Sequence, residues 1–222
     1  MKSTSTIDNA LKNDNRNYNY GSFEFYVRAE FPTICDWLSS GARVIDLGCA
    51  NGSLMKYILD RKKVEIVGVE KSVSGVNYCV SNNLLASVGD IDCRETYRKY
   101  QTDEFDYAIC NVTLQMVMYP EILLEEIMRI SRRQIISFHN FAFFRNRFDL
   151  LMMGRMPQPM LYGYKWYNTG HIHQLSLNDF YIYCRDIQWN IEKVKHLGCW
   201  QFLANLCFPN FFSKETIFLL KK

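Results

Sequence analysis

The 222-residue sequence lacks several features that would assign it to a class at once. No stretch approaches the roughly 18 apolar residues of a membrane-spanning helix, and residues 1–6 lack the apolar segment of a signal peptide. There is no run of lysine or arginine, and a formal net charge of +3 is too small to indicate nucleic-acid binding. We therefore expect a cytoplasmic protein that binds neither a membrane nor nucleic acid.

The sequence also lacks any C-x-x-C pair, although it contains eight cysteines. Their irregular spacing predicts neither a disulfide framework nor a cysteine metal site. Hydrophobic residues make up 48% of the chain and charged residues 22%, which is typical of a globular protein. Residues 1–20, rich in asparagine and charge, are predicted to form a flexible arm, and residues 21–222 a single domain.

The most informative pattern is a short β-branched run followed by a glycine-bounded turn and a helical spacing of apolar residues. Gly48 and Gly52 bound the turn, and an acid, Asp46, lies two residues before the first glycine. The dinucleotide fingerprint G-x-G-x-x-G is absent, because Ala50 and Ser53 occupy positions where it requires glycine. Strand, glycine turn and helix predict the first unit of a nucleotide-binding α/β sheet.

Two further acids follow the next predicted strands. Glu70 ends the run 64–69, close to the roughly 20-residue separation from the glycine turn that nucleotide-binding folds show. An acid in this place can accept hydrogen bonds from both hydroxyls of a ribose. Asp90 ends a third run. The alternative, that all these acids are solvated loop carboxylates, agrees less well with the turn chemistry and the spacing.

The rest of the chain alternates predicted strands and helices. Further strands are predicted at 105–110, 135–138, 190–195 and 215–220, with a clear amphipathic helix at 121–129. Such alternation indicates an α/β fold with a mostly parallel sheet and helices on both faces.

Residues 139–175 are too long for an ordinary connection between a strand and a helix. The segment is rich in aromatic residues and arginine and begins where strand ends bind ligands in open α/β sheets. We interpret it as a cap over a substrate pocket; the alternative is an apolar patch for self-association. His171 and His173 project to one side of an extended segment, but no third ligand has evident spacing, so no metal site is predicted. A D-x-D metal site at 90–92 is the weaker interpretation beside the glycine motif.

The spacing acid-x-Gly-x-x-x-Gly resembles the first motif of class I methyltransferases that bind S-adenosylmethionine. More narrowly, the chain resembles the MetW family of methionine-biosynthesis proteins over roughly residues 28–195. The matching stretches are V-I-D-L-G-C-A-N-G (44–52), G-D-I-D (89–92), F-D-Y-A-I (105–109), T-L-Q (113–115), I-I-S-F-H-N-F (135–141), G-R-M-P (154–157) and W-Y-N-T-G-H-I-H (166–173). The resemblance implies a Rossmann-like, seven-stranded, mostly parallel sheet with an inserted cap after the fifth strand.

The same resemblance implies where S-adenosylmethionine binds. The glycine turn would lie under the methionyl part, Glu70 would bind the ribose, Asp90 and Ile91 would flank the adenine, and Asn111 would lie near the sulfonium. The complete set implied is Asp46, Gly48, Cys49, Ala50, Gly52, Glu70, Lys71, Asp90, Ile91, Asn111 and Leu114.

Three positions depart from the family pattern, which expects proline at His139, Pro-Asn at 170–171 and glycine at Ala50. The first two changes place imidazoles at the rim of the implied pocket. His139 is therefore the candidate catalytic base. The implied substrate contacts are Arg28, Arg145, Tyr167, His171 and His173.

The function expected is methyl transfer to a small metabolite, with O-methylation of an anionic, phosphate- or carboxylate-bearing compound favoured by the arginines and histidines of the insert. The alternative implied by the family is an S-adenosylmethionine-binding partner of a homoserine acyltransferase in methionine biosynthesis. A homodimer is the other association considered.

Overall fold

The computed structural model describes residues 20, 24–157, 166–167, 169–198 and 208–222. These residues form a seven-stranded sheet in the order β3-β2-β1-β4-β5-β7-β6. Strands β1 to β5 pair in parallel, and β7 runs antiparallel to both β5 and β6. The bounds are β1 Arg43–Leu47, β2 Glu65–Glu70, β3 Ala86–Val88, β4 Phe105–Asn111, β5 Ser131–His139, β6 Asn190–Leu197 and β7 Glu215–Lys221. The predicted seven-stranded, mostly parallel sheet is confirmed.

Helices cover both faces of the sheet, as predicted. One buried cluster joins the sheet to α5 and α7, and the second joins the opposite face to α1, α2 and α3. The described helices are α1 Phe31–Trp37, α2 Ser53–Leu59, α3 Val73–Ser81, α4 Arg94–Tyr97, a 3₁₀ turn Leu114–Met116, α5 Pro120–Ile130, α6 Phe144–Met153, α7 Leu177–Asp186 and α8 Pro209–Phe212. Among these described residues, no helix is both long and apolar enough to cross a membrane.

The chain before α1 is extended and crosses the start of α2. The apolar spacing of residues 27–38 together with Pro32 predicts a helix that starts or kinks near Pro32, and α1 begins at Phe31, with Pro32 in its first turn, where a missing N–H is tolerated. The Asn51 amide donates to the backbone oxygen of Glu24 (3.3 Å). This crossing brings the residues just before α1 to the edge of the sheet where the parallel strands end.

The spacing of Val73, Val76 and Val80 predicts a helix that packs through its valines, but α3 packs through Gly75, Val76 and Cys79. Val73 and Val80 are each 58% exposed, whereas Val76 is buried. A Cβ on Gly75 would lie 2.7 Å from the backbone oxygen of Ala50, so only glycine permits this approach.

The insert at 139–175 contains α6, which follows β5 after a short turn. Phe143 is buried and contacts Phe144, whose ring stacks on Phe211 at 5.7 Å. Residues 158–165 and 168 of the predicted cap lie outside the described residues, so its role stays a prediction. Residues 1–19 of the predicted arm also lie outside them, while Tyr20 is buried and contacts Ala50.

Candidate functional site

The turn between β1 and α2 is a glycine cradle in which both glycines pack closely against neighbouring side chains. Gly48 and Gly52 have φ values of +80° and +77°, in the left-handed region that favours glycine. A Cβ on Gly48 would lie 2.7 Å from Cγ2 of Thr113, and one on Gly52 would lie 2.5 Å from Cδ1 of Leu84. Backbone geometry and packing therefore both require the two glycines.

Ala50, in the middle of this turn, is also left-handed, with φ +54°. An L-residue with a Cβ is strained there by about 1–2 kcal/mol. The departure from the glycine that the family pattern expects thus has a physical cost, and the turn keeps its shape despite it.

We expect Ala50→Gly to stabilise the protein by about 1 kcal/mol, because the relieved strain exceeds the added freedom of the unfolded chain. For a domain of this size the midpoint of thermal unfolding should rise by roughly 2–4 °C. Thermal denaturation followed by circular dichroism measures the shift. A lower midpoint would show that the Ala50 side chain contributes contacts that outweigh its backbone strain.

Glu70 closes the turn from the end of β2. Its carboxylate accepts the N–H of Ala50 at 2.9 Å and the N–H of Ser72 at 2.8 Å, which fixes the glycine turn to the start of α3. Burial raises the pKa of Glu70, although these backbone bonds act in the opposite direction. The sequence prediction that Glu70 and the turn belong to one site is consistent with this direct contact.

Asp46 lies beneath the turn and is 2% exposed. Burial, and then the nearby charge of Glu70, raise its pKa to about 7. Among the described residues, none donates a hydrogen bond to the Asp46 carboxyl. A buried acid without donors is costly, and such groups concentrate at ligand sites.

The loop after β3 holds the next predicted contacts together. Lys71 forms an ion pair with Asp90 (2.7 Å), and Asp90 also accepts the N–H of Asp92 at 3.1 Å. Ile91 is buried, and its backbone oxygen accepts the hydroxyl of Tyr97 at 2.8 Å. The ends of β2 and β3 thus form one continuous rim.

Asn111, at the end of β4, has a fixed orientation. Ser137 accepts the N–H of Val112 at 3.0 Å and donates its own hydroxyl to Oδ1 of Asn111 at 2.6 Å. The amide nitrogen of Asn111 therefore faces away from Ser137 and donates to Oε1 of Glu30 at 3.0 Å.

A buried group of ionisable side chains follows, at the ends of β5 and β7; we call Arg28, Glu30, His139 and Glu215 the charged cluster. Nε of Arg28 lies 3.5 Å from Oε1 of Glu30, and Nδ1 of His139 lies 3.8 Å from Oε2 of Glu215. Burial, and then the charges of Arg28, His171 and Lys214, lower the pKa of His139 well below its usual value, so the imidazole is neutral.

The pKa of Glu215 is shifted in the opposite direction, upward. Burial, followed by the charge of Glu30 and a hydrogen bond between the two carboxyl groups, raises its pKa to about 8. Two ionised carboxylates cannot form such a bond, which agrees with the raised pKa of Glu215. Oε1 of Glu215 has no hydrogen-bond partner among the described residues.

Gln115 joins the insert to the sheet. Its side-chain oxygen accepts the N–H of His139 (3.0 Å), and its backbone oxygen accepts the N–H groups of Ile172 (2.8 Å) and His173 (3.1 Å). The rings of His139 and His171 consequently lie 6.3 Å apart between centroids. His139 and His173 therefore both bond to one buried glutamine, and His171 lies beside His139.

Two predicted substrate contacts lie elsewhere. Arg145 is exposed on α6 and forms no hydrogen bond or ion pair within the described part of the chain, and Tyr167 is 56% exposed. Both roles stay predictions. Leu114 and Cys49 are buried, and a hydrogen bond to Cys79 together with burial raises the pKa of the Cys49 thiol. Cys49 is thus an uncharged thiol in the turn.

The sequence patterns do not predict Glu30, Gln115 and Glu215 as site residues. For Gln115 a signal exists, because it stands within the T-L-Q stretch. Glu30 meets Asn111 from 81 positions away, and local patterns do not report such a distance.

We expect Glu215→Gln to stabilise the protein at alkaline pH. The folded-state pKa of about 8 exceeds the ordinary 4.5, so the native state binds a proton that the unfolded chain has lost. The stability supplied by that proton is complete below pH 4.5 and is lost as the pH rises through about 8. Glutamine does not titrate. The free energy of unfolding of Glu215→Gln relative to the parent should therefore increase across this pH range, by more than about 1 kcal/mol at pH 9.

Urea denaturation of the parent and Glu215→Gln at pH 5, 7 and 9 measures this difference. Glu65→Gln, at an exposed site on β2, is the matched control. Equal stability of parent and Glu215→Gln at pH 9 would contradict the raised pKa.

Most of the chain matches a known protein family. The family model described as "Methionine biosynthesis protein MetW" matches residues 28–220. The chain belongs to the MetW family. A similar protein is the bifunctional methionine biosynthesis protein MetXA/MetW of Rhodopirellula baltica, which is 37% identical over 145 residues. That match covers 62% of this chain and 23% of the relative, so the chain spans about a quarter of the relative's length.

Solved structures share the fold at low sequence identity. A methyltransferase dependent on S-adenosylmethionine from Archaeoglobus fulgidus aligns with a TM-score of 0.64 and 12% identity, over 87% of this chain and 92% of its own. One from Mesorhizobium loti aligns with a TM-score of 0.60 and 15% identity, over 88% and 98%. The Rossmann-like fold expected for a MetW protein is thereby confirmed.

Proposed function

We propose that this MetW-family protein is an S-adenosylmethionine-dependent methyltransferase that acts on a small metabolite. The observation that supports this most directly is the glycine cradle closed by Glu70, with a buried acid, Asp46, beneath it. Cβ atoms on Gly48 and Gly52 would collide with Thr113 and Leu84, so the close turn depends on both glycines, and Asp46 lacks a donor among the described residues.

These features fit the cofactor. The free lone pairs of Glu70 suit the two ribose hydroxyls, the Asp90 loop suits the adenine, and the carboxyl of Asp46 suits an ammonium group. S-adenosylmethionine supplies an activated methyl group bound to a sulfonium. Transfer is an in-line displacement, so a protein can contribute much of the rate by holding an acceptor in line.

We further propose O-methylation of an anionic acceptor, bound near the charged cluster. Arg28 and Lys214 both lie close enough to lower the pKa of His139. These two cations favour a phosphate or carboxylate on the acceptor. His139 is the proposed proton acceptor when the nucleophile is a hydroxyl group, and His171 and His173 are proposed contacts to the substrate.

A second candidate function is supported by one observation, the joining of MetXA and MetW in the single Rhodopirellula baltica chain. On this proposal the protein binds S-adenosylmethionine and acts as a partner of a homoserine acyltransferase. Helix α6 carries exposed apolar side chains, including Leu151 at 83% and Met152 at 64%, that could contact such a partner.

One experiment separates the two functions. Calorimetric titration with S-adenosylmethionine and S-adenosylhomocysteine tests cofactor binding; incubation with methyl-labelled cofactor and a size-filtered metabolite extract tests transfer. We expect binding and a labelled anionic product. Absence of binding overturns both candidates, a labelled neutral product overturns the anionic acceptor, and binding without transfer but with acyltransferase capture favours the second.

A further inference from the structure

His139 and Glu215 are directly paired across two antiparallel strands. The register of β5 and β7 places their Cα atoms opposite each other, at the end of the sheet where β4 and β5 terminate. Nδ1 of the imidazole lies 3.8 Å from Oε2 of the carboxyl group. This separation is longer than a hydrogen bond, and catalytic contacts that are long in the absence of substrate often shorten when it binds.

A chain of contacts connects this pair to the site of the sulfonium. Ser137 lies two residues before His139 on β5 and therefore faces the same side of the sheet. It binds Asn111, whose amide donates to Glu30 at 3.0 Å, and Glu30 lies beside Glu215. Asn111 is the residue expected to lie near the sulfonium. Contacts between side chains thus connect the His139–Glu215 pair to the expected position of the reacting methyl group.

We propose that Glu215 is a positioning residue for His139, orienting its imidazole and stabilising the positive charge it gains from a hydroxyl acceptor; this rests on the proposed methyl transfer. The acceptor oxygen forms a bond to the methyl carbon while the methyl–sulfur bond breaks and leaves its electron pair on sulfur. The hydroxyl proton moves to Nε2 of His139. The Nδ1–H then faces the carboxylate of Glu215, and the proton leaves to solvent after the product departs.

The electrostatics show why His139 needs such a partner. Burial and neighbouring cations lower its pKa, which makes an isolated His139 a weak base. A carboxylate across the strand pair offsets those cations, as the acid does in serine-protease triads. Only ionised Glu215 can do this, and its pKa is raised to about 8. The charged or titratable groups that act on the pair are Arg28, Glu30, His171 and Lys214.

The proposal predicts a specific pH profile. The rate of label transfer from methyl-labelled S-adenosylmethionine to a hydroxyl acceptor in a metabolite extract should rise between pH 6.5 and 9, with a midpoint near 8. Glu215→Gln should lower transfer at pH 8.5 by about 100-fold and abolish this rise, because general-base assistance typically contributes 10²–10⁴-fold. Glu215→Asp should restore part of the rate. The affinity of Glu215→Gln for S-adenosylhomocysteine should change less than about 3-fold, because the proposed role of Glu215 is in proton transfer from the acceptor.

Thermal denaturation identifies any loss of fold, and Glu65→Gln is the control for a glutamate removed from an exposed site. If the parent is active and Glu215→Gln is equally active, the proposed role of Glu215 is overturned but the proposed methyl transfer is not. The same conclusion follows if Glu215→Gln loses transfer and S-adenosylhomocysteine affinity in parallel. An unaltered pH profile in Glu215→Gln does the same. A parent that binds the cofactor but methylates nothing overturns the proposed methyltransferase function as well.

Discussion

Glu70→Ala should reduce the affinity for S-adenosylhomocysteine by about 100-fold or more. The carboxylate accepts two backbone N–H groups, from Ala50 and Ser72, and is the proposed acceptor for the ribose hydroxyls. Hydrogen bonds to a charged group contribute roughly 1.5–3 kcal/mol each, and about 1.4 kcal/mol is tenfold in affinity. Loss of the ribose bonds together with a loosened turn therefore removes at least two factors of ten. Isothermal titration calorimetry measures this loss of affinity for S-adenosylhomocysteine.

Two matched variants separate binding from folding. Glu65→Ala, at the opposite end of the same strand and 79% exposed, should bind like the parent. Glu70→Gln keeps an acceptor oxygen of the same reach but loses the charge, and should fall between parent and Glu70→Ala. If Glu70→Ala binds as tightly as the parent, Glu70 does not hold the cofactor. If only its thermal stability falls, the contacts to Ala50 and Ser72 serve the fold alone.

The elements that could be predicted from sequence are those whose signals are local. A buried strand, a turn that needs positive φ, and the first residues of a helix all lie within a few positions, as at 43–59. Parallel strands then bring their ends to one edge of the sheet, so Asp46, Glu70 and Asp90 are assigned to one rim without any knowledge of their contacts. This is why the edge of the sheet at which these acids meet could be anticipated.

The charged cluster could not be predicted, because its members meet only after the last strand pairs with β5. Glu215 stands opposite His139 through the β5–β7 register, and Glu30 reaches Asn111 from before the first helix. Neither acid belongs to a short motif or to a periodic pattern. Even the direction of each pKa shift depends on the neighbours, since burial makes His139 a weaker base and Glu215 a stronger one.

The difference between local signals and long-range contacts also applies to the side chains of the insert. Its aromatic and cationic composition indicates a pocket, but composition does not say which side chains turn inward. For the histidines, this placement depends on Gln115. Its backbone oxygen accepts the N–H groups of residues 172 and 173, and its side-chain oxygen accepts the N–H of His139. Arg145 lies on the exposed side of α6, a placement that depends on how the helix packs. Long-range packing therefore decides the acceptor half of the site.

Gly52→Ala should destabilise the protein by about 2–5 kcal/mol. Left-handed backbone costs an L-residue about 1–2 kcal/mol, and overpacking a buried site adds typically 1–3 kcal/mol. Here the new methyl group would lie 2.5 Å from Cδ1 of Leu84 and 2.9 Å from Sγ of Cys79, both buried. The midpoint of thermal unfolding should fall by roughly 10 °C, and the distorted turn should bind S-adenosylhomocysteine more weakly.

Gly41→Ala is the control that isolates the clash from the backbone strain. Gly41 has φ +78°, nearly identical to the +77° of Gly52, but a Cβ there would meet no atom within 4 Å. It precedes β1 and lies outside the glycine turn. Its replacement should therefore cost only the strain, about 1–2 kcal/mol, and leave S-adenosylhomocysteine affinity unchanged. Equal destabilisation in the two variants would mean that Leu84 and Cys79 move aside freely, and that φ alone requires glycine in the turn.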